Sequence, residues 1–426
     1  MKHTRSKIVI TKYKNATVCL VYNEKGTVTD IFCEPDKFKS LTGNIYSGRV
    51  VKIVPSLNAA FTEFLPGSEG YFQTGAGSKL IFADPQRVPL PLKCEDRIIV
   101  QVKKDAAGTK KPALSCDITL AGRYSVFCAA RPGLRFSAKL NNPEKKDEIR
   151  ERFYGRGKEK DACAGAIKAD DSEKSCPDKD NDNLYRQYGF IIRTNAASAD
   201  TDVIFAEMDY FISLWREILK KAAVCRAPSL LYGSPEAYLS CIRDCADPEN
   251  VKIITDIPEI YEKINSYTSL FPLNIRSKPE LYENKKVPPD LLYGVSRNME
   301  EALDKKVYLK SGGFLVIEPT QALVSIDVNS GHAVSGKDSQ AEFLRINIEA
   351  AKEAARQIRL RNLSGIIIID FINMKSPESR DILMRQLKMF LAEDPLKPEA
   401  VDVTKLGLVE ITRKKSARPL YELADI

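Results

Sequence analysis

Two aspartates, Asp327 and Asp370, and one asparagine, Asn329, carry the strongest chemical signal in the sequence. Each aspartate closes an apolar run of strand type, Ala322-Leu323-Val324-Ser325-Ile326-Asp327-Val328-Asn329 and Gly365-Ile366-Ile367-Ile368-Ile369-Asp370. Side chains alternate along a strand, so Asp327 and Asn329 share a face. Two carboxylates brought together with no cation nearby in sequence repel one another, and a divalent ion removes the conflict. Magnesium takes one or two carboxylates and keeps several waters, which suits the pair, with manganese as the alternative. Asn329 would orient Asp327 through a hydrogen bond. A metal so held polarises a phosphoryl oxygen and lowers the pKa of a bound water, the requirement for hydrolysing a phosphate ester. The plainer alternative is that both aspartates only cap strand-to-loop transitions. His332, five residues after Asp327, is read as a loop residue and not as a general base.

The elements that must position these groups form the clearest pattern in the chain. A strand over Leu315-Val316-Ile317-Glu318 precedes the first aspartate run across a Pro-Thr-Gln turn. An amphipathic helix expected over Ser339 to Arg361 separates the two runs, and Pro377 opens a further helix to Ala392. Strand, long helix, strand favours a right-handed parallel crossover. Both aspartates then lie at carboxyl ends of strands, where open α/β sheets bind ligands. The five apolar residues before Asp370 read as the interior of a sheet.

Upstream, alternation predicts strands at Lys7 to Ile10, Thr17 to Tyr22 and Val28 to Phe32. Short strands with glycine turns from Asn44 to about Leu120 predict a small closed barrel. Gly155 to Asn183 loses apolar periodicity and reads as a polar insertion. Order returns at Tyr188 to Thr194, followed by a helix from Asp200 to Ala223, a buried strand at Val251 to Ile254, and helices at Ile257 to Ser266 and Arg297 to Lys305. The fold class is therefore α/β with several domains.

Composition narrows the chemistry. The 426 residues are 43% hydrophobic, with 65 basic and 57 acidic side chains and a net charge of +8. Only His3 and His332 are present, so Ser-His-Asp, Cys-His and histidine-ligated zinc mechanisms are poorly supplied. The ten cysteines include no pair with a two-residue gap; Cys241 and Cys245, four apart, read as incidental thiols. No apolar run approaches the roughly 20 residues that span a bilayer, and Lys12 and Lys14 interrupt any leader, so no membrane segment and a cytoplasmic location are expected.

In the expected barrel, Phe61, Phe64, Tyr71 and Phe72 alternate along strands, and Lys103, Lys104, Lys110 and Lys111 flank a turn. Aromatic faces for bases beside lysines for phosphates are what a single-strand binder of the OB type needs, although about half of those rings must be core. Arg193-Thr194, at a strand end, offers a guanidinium fork and a hydroxyl that could hold a phosphate.

Several blocks together resemble the ribonuclease E/G family: Asn44-Ile45-Tyr46-Ser47-Gly48-Arg49-Val50, Pro55 to Phe61, Ile326 to Ser330, Glu349-Ala350-Ala351 through Arg356 to Arg361, Ile369 to Met374, and Gly407 to Arg413. The resemblance implies an S1 (OB-fold) domain at 44–120 inserted in an RNase H-like subdomain formed by 1–43 and 207–285. It further implies a 5′-sensor region at 121–206 and a DNase I-like catalytic subdomain at 286–426. It places magnesium on Asp327 and Asp370 with Asn329 in support, RNA contacts at Phe61, Tyr71 and Lys110, and a 5′-phosphate contact at Arg193 and Thr194. The implied activity is magnesium-dependent cleavage of single-stranded RNA, often A/U-rich, to 5′-phosphate and 3′-hydroxyl ends in RNA processing and decay.

Three positions depart from the family pattern. The Cys-Pro-x-Cys zinc link does not follow Arg418-Pro419-Leu420, so neither zinc nor a zinc-linked oligomer is expected, leaving a monomer or another dimer. Asn373 stands where the family has Asp. Ser137-Ala138-Lys139 replaces paired arginines in the sensor. Two other classes compete: a non-catalytic S1-type RNA-binding protein, and a metal-dependent hydrolase of small phosphate esters, which would leave the barrel without a use.

Overall fold

The computed structural model describes the chain apart from residues 1–4, 75–79, 85–90, 107–109, 156–184, 186, 245–250, 271–277, 332–338, 416 and 424–426. The expected polar insertion therefore lies outside the described residues, except for Gly155.

The chain starts as an antiparallel meander, β1 (Arg5–Tyr13), β2 (Ala16–Asn23) and β3 (Val28–Pro35). Asn23 makes the second turn: its side-chain oxygen accepts the amides of Lys25 and Thr27, both at 3.0 Å. The barrel follows as β4 (Ile45–Val54), β5 (Ala59–Leu65), β6 (Ser68–Gln73), β7 (Arg97–Lys104) and β8 (Ala113–Ser115). It closes because β4 pairs with both β5 and β7, while β8 joins β6 to β7. Tyr46, Val50, Phe64, Phe72, Ile98 and Val100 fill it.

Four short strands, β9 (Thr119–Ala121), β10 (Ser125–Cys128), β11 (Gly133–Phe136) and, beyond α1 (Pro143–Gly155), β12 (Gly189–Ile192), form a second sheet in the order β11-β12-β10-β9. α2 (Thr201–Val224) is started by Asp200, whose side chain accepts the Asp202 amide. It buries Ile204, Met208, Phe211, Trp215 and Ile218 at helical spacing. β13 (Ser229–Tyr232) then pairs antiparallel with β4 on the outside of the barrel, and α3 (Ala237–Arg243) follows.

β14 (Lys252–Thr255), parallel to β1, then α4 (Pro258–Leu270) and β15 (Glu280–Leu281) complete the first sheet in the order β15-β14-β1-β2-β3. After α5 (Pro289–Tyr293) and α6 (Val295–Leu303) comes the sheet that holds the aspartates. Its elements are β16 (Lys306–Tyr308), β17 (Phe314–Pro319), β18 (Leu323–Asn329), α7 (Ser339–Leu360), β19 (Gly365–Asp370), α8 (Pro377–Leu391), β20 (Glu399–Val403) and β21 (Val409–Arg413), with α9 (Leu420–Leu423) after it. The strand order is β16-β17-β18-β19-β21-β20, and only β18 and β19 run parallel.

One face of this sheet is buried. Leu315, Ile317, Val324, Ile326, Ile367, Ile369 and Ile411 pack with Ile346, Ala350, Ala354 and Ile358 of α7 and Leu383, Leu387 and Leu391 of α8. Burying each of the larger side chains is worth about 1.5–3 kcal/mol, so this face anchors the sheet. The other face is open, which corrects the reading of Gly365 to Ile369 as sheet interior. β19 is central in strand order, yet Ile366 is 51% exposed.

By compactness the chain divides into two units. One comprises Met1–Lys39, Cys245–Ser266 and Ile275–Ile426; the other comprises Ser40–Asp244 and Tyr267–Asn274, and so includes α2 with the barrel.

Candidate active site on the open face of the mixed sheet

Strand alternation sends Asp327 and Asn329 to the open face while Ile326 and Val328 enter the core. The parallel pairing of β18 and β19 makes Asp327 and Asp370 direct register partners. Both carboxylates are exposed. Asn329 Nδ2 donates to Asp327 Oδ2 at 2.7 Å, the orienting bond expected from the spacing.

α7 holds the segment beyond Asp370 and the turn between β16 and β17. Asn347, fully buried, donates from Nδ2 to the Ile372 carbonyl at 2.7 Å and accepts the Ile372 amide at 3.0 Å. That pair pins the segment two residues after Asp370. Glu349 accepts the backbone amides of Lys310 at 2.7 Å and Ser311 at 3.3 Å, which fixes the turn between β16 and β17. This turn lies against the end of β18. A Cβ on Gly313 would sit 2.7 Å from the Asn329 carbonyl, and one on Gly331, whose φ is +58°, would sit 2.4 Å from the Gly312 carbonyl. Only glycine permits that approach, which seats the β16–β17 turn against the end of β18.

Two neighbouring carboxylates with open acceptor positions and one amide brace form a donor set that suits a hard divalent cation retaining water. Among the described residues no group of three or more His, Cys, Asp or Glu could hold a metal. His332 and Cys245 lie outside the described residues, and Cys241 is buried. Asn373 is exposed beyond β19.

In the barrel the four aromatic rings divide as strand alternation demands. Phe64 and Phe72 are core, while Phe61 and Tyr71 are cross-strand partners on the outer face, with Tyr71 40% exposed. Lys111 Nζ stands 5.3 Å from the Phe61 ring centroid and pairs with Glu69 at 2.5 Å. Lys110 is exposed. Lys103 differs from its neighbours: its ammonium binds Gln101 at 2.9 Å and Thr119 at 3.2 Å, and burial lowers its pKa.

Arg193 and Thr194 sit at the end of β12. Arg193 Nη1 donates to Asp244 Oδ1 at 2.6 Å and also to the Gly122 carbonyl. Thr194 Oγ1 lies 3.4 Å from Ser137 Oγ. Behind Arg193 is a buried network. Glu207 of α2 accepts the amides of Arg123 at 2.8 Å, Tyr124 at 3.1 Å and Ser125 at 2.7 Å, together with the Ser125 hydroxyl at 2.8 Å. Burial raises the Glu207 pKa against those bonds. Burial acts on Asp244 in the same direction, but hydrogen bonds and charge from Arg243 and Arg193 outweigh it and hold that carboxyl low.

Asn347, Glu349, Glu207 and Asp244 escape the reading of the sequence. Asn347 left a signal, a polar residue inside the apolar stripe Ile346, Ala350, Ala354, Ile358. The others leave none: the amides that Glu349 and Glu207 accept are distant in sequence, and Asp244, though next to Arg243, gives no sign of its second partner Arg193.

Comparison with known proteins adds the following. The model of the Ribonuclease E/G family matches residues 119–416. The chain is 31% identical to Ribonuclease G of Haemophilus influenzae over 407 residues, covering 93% of this chain and 77% of that protein. It is 30% identical to Ribonuclease G of Escherichia coli K12 over 406 residues, with the same coverage of 93% and 77%. It is also 30% identical to Ribonuclease E of Synechocystis over 416 residues, covering 95% of this chain and 58% of that longer protein.

Proposed function

Because this chain belongs to the ribonuclease E/G family of endoribonucleases, we propose that it hydrolyses single-stranded RNA at internal phosphodiesters, with Asp327 and Asp370 as the metal-holding pair. The observation that carries this reading is the register pairing of the two exposed aspartates, with Asn329 hydrogen-bonded to one of them. Magnesium is the ion this donor set suits, and when bound it supplies Lewis-acid polarisation of the phosphate and a more acidic water. The chain's own part is placement. Asn329 holds Asp327 in one rotamer, Asn347 fixes the segment after Asp370, Glu349 fixes the β16–β17 turn, and Gly313 and Gly331 let that turn meet the end of β18. A water oxygen adds to phosphorus, the bond from phosphorus to the 3′-oxygen breaks, and that oxygen takes a proton. The products are a 5′-phosphate and a 3′-hydroxyl.

The remaining assignments belong to the same proposal. The barrel at 44–120 serves as the S1 domain, with Phe61 and Tyr71 as stacking faces and Lys110 as a phosphate contact. The segments 1–43 and 207–285 form the RNase H-like subdomain, 121–206 the sensor region, and 286–426 the DNase I-like subdomain. Arg193 and Thr194 contact a 5′-phosphate, with Arg193 held in place by Asp244. Among the described residues no helix is long and apolar enough to cross a membrane.

The test is cleavage of a 5′-monophosphorylated, A/U-rich oligoribonucleotide with magnesium and with EDTA, using wild type and Asp327→Asn. Internal cuts leaving 5′-phosphates, abolished by EDTA and by the substitution, support the reading. Tight binding by wild type with no cleavage under magnesium or manganese would overturn it in favour of a non-catalytic RNA-binding protein.

A further inference from the structure

The open face of the sheet carries more than the aspartates. Its register sets Lys306, Val316, Asp327 and Asp370 in one row and Tyr308, Phe314 and Asn329 in the next. Side chains of one cross-strand row point to the same side of a sheet. Tyr308 is 71% exposed, and its ring centroid lies 6.2 Å from that of Phe314. Lys306 Nζ stands 3.8 Å over the Phe314 centroid and 4.8 Å from that of Tyr308. No carboxylate within ion-pair distance of Lys306 is found among the described residues. Such a corner contributes little to folding: a large ring faces water and an ammonium is steadied by rings instead of by an acid.

Strands lie about 4.8 Å apart, so Lys306 stands two strands, roughly 10 Å, from Asp327. That places the cation beyond the phosphate held at the aspartates and beside its neighbour along a single strand. A polyanion bound at the carboxylate pair therefore meets, on one side, a free cation and an exposed aromatic face, the two features that hold single-stranded nucleic acid.

We propose that Lys306, Tyr308 and Phe314 form a nucleotide subsite flanking the scissile phosphate. Tyr308 stacks one base, Phe314 backs it, and Lys306 binds the adjoining phosphate. The inference rests on the endoribonuclease reading above, and it assigns binding residues that the two-aspartate site does not include.

The test combines Tyr308→Ala, Tyr308→Phe and Lys306→Ala with a single-site oligoribonucleotide and the same strand made abasic one nucleotide from the cut on either side. Stacking predicts that Tyr308→Ala raises KM on the order of tenfold with kcat within about twofold, and that Tyr308→Phe restores it. One abasic position should cost wild type about the same factor and cost Tyr308→Ala almost nothing more. Lys306→Ala should raise KM and flatten its dependence on salt. Binding of the intact strand to Asp327→Asn, with and without Tyr308→Ala, reads the same loss without turnover. If wild type cleaves but these substitutions leave KM, the abasic penalty and binding unchanged, the subsite is overturned while the endoribonuclease reading stands. Wild type that cuts no RNA overturns both. Dissociation of a dimer by Tyr308→Ala, with cleavage unaltered, overturns the subsite in favour of a second copy of the chain on this face.

Discussion

Two regions of the molecule use carboxylates in opposite ways. On the mixed sheet, Asp327 and Asp370 are exposed, register-paired, and braced by a single amide. In the barrel unit, Glu207 is withdrawn from water and saturated by three backbone amides and a hydroxyl, while Asp244, still one-third exposed, has its oxygens taken by Arg243 and Arg193. A carboxylate whose acceptors are already filled has little left for a ligand, whereas one with open positions beside a like charge needs one. The state of the oxygens, more than the number of acidic residues, separates a binding pair from a structural one.

The contrast can be broken in four ways. The largest expected effect is Asp327→Asn or Asp370→Asn, which should cut RNA cleavage on the order of a thousandfold or more. Both positions are exposed, so the free energy of unfolding should stay within about 0.5 kcal/mol of wild type. Glu207→Ala should do the reverse. Three amides and a hydroxyl lose their acceptor in the core, so equilibrium unfolding should show a loss of about 3–5 kcal/mol. At temperatures where this variant is folded, cleavage per folded molecule should be near that of wild type. An Asp327→Asn protein that unfolded, or a Glu207→Ala protein that was stable, would dissolve the distinction.

Asn329→Ala lies between the extremes. It removes the brace and keeps both carboxylates, so activity should fall roughly 10- to 100-fold and recover in part at higher magnesium. Failure to recover would give Asn329 a role in binding the substrate. The smallest effect is one of pH. The Asp244 pKa is lowered on folding, so its contribution to stability is present at neutral pH and is lost as pH falls below the ordinary carboxylate range, near pH 4. Glu207, with its pKa raised, acts in the opposite sense and at higher pH: its cost is present above the raised value and is relieved as pH falls toward the ordinary glutamate value. Asp244→Asn should therefore flatten the acid limb of a plot of unfolding midpoint against pH. An unchanged limb would remove Asp244 from the ion pairs that hold Arg193.

The β18–β19 part of the mixed sheet was legible in the sequence because its signals are local. Alternation placed Asp327 and Asn329 on one face, and an amphipathic stretch between two apolar runs announced the β18–α7–β19 crossover. The division of Phe61 and Tyr71 from Phe64 and Phe72 followed the same alternation, although which pair faces outward needed the register. What could not be read is non-local. β13 joins the barrel through β4, far away in sequence, and no residue of Ser229–Tyr232 advertises the partner. The run from Ile366 to Ile369 is apolar at every position, so period two gives no face, and the open side came to light only with the helices placed on the other. Glu349 and Glu207 look like ordinary surface acids on helices until the amides they accept are known. Lys306 and Tyr308 sit on a three-residue strand, too short to show a period.

α7 ties these observations to time. Its 22 residues span about 33 Å. Near one end, Arg359 grips Asp30 of β3 through two bonds of 2.7 Å; nearer the other, Asn347 and Glu349 hold the backbone amides of Ile372, Lys310 and Ser311. Those three amides belong to loops from different parts of the chain, yet each donates to a side chain of the same helix. Their deuterium uptake should therefore follow one clock, set by displacement of α7, and loosening the distant grip with Asp30→Ala should quicken all three together.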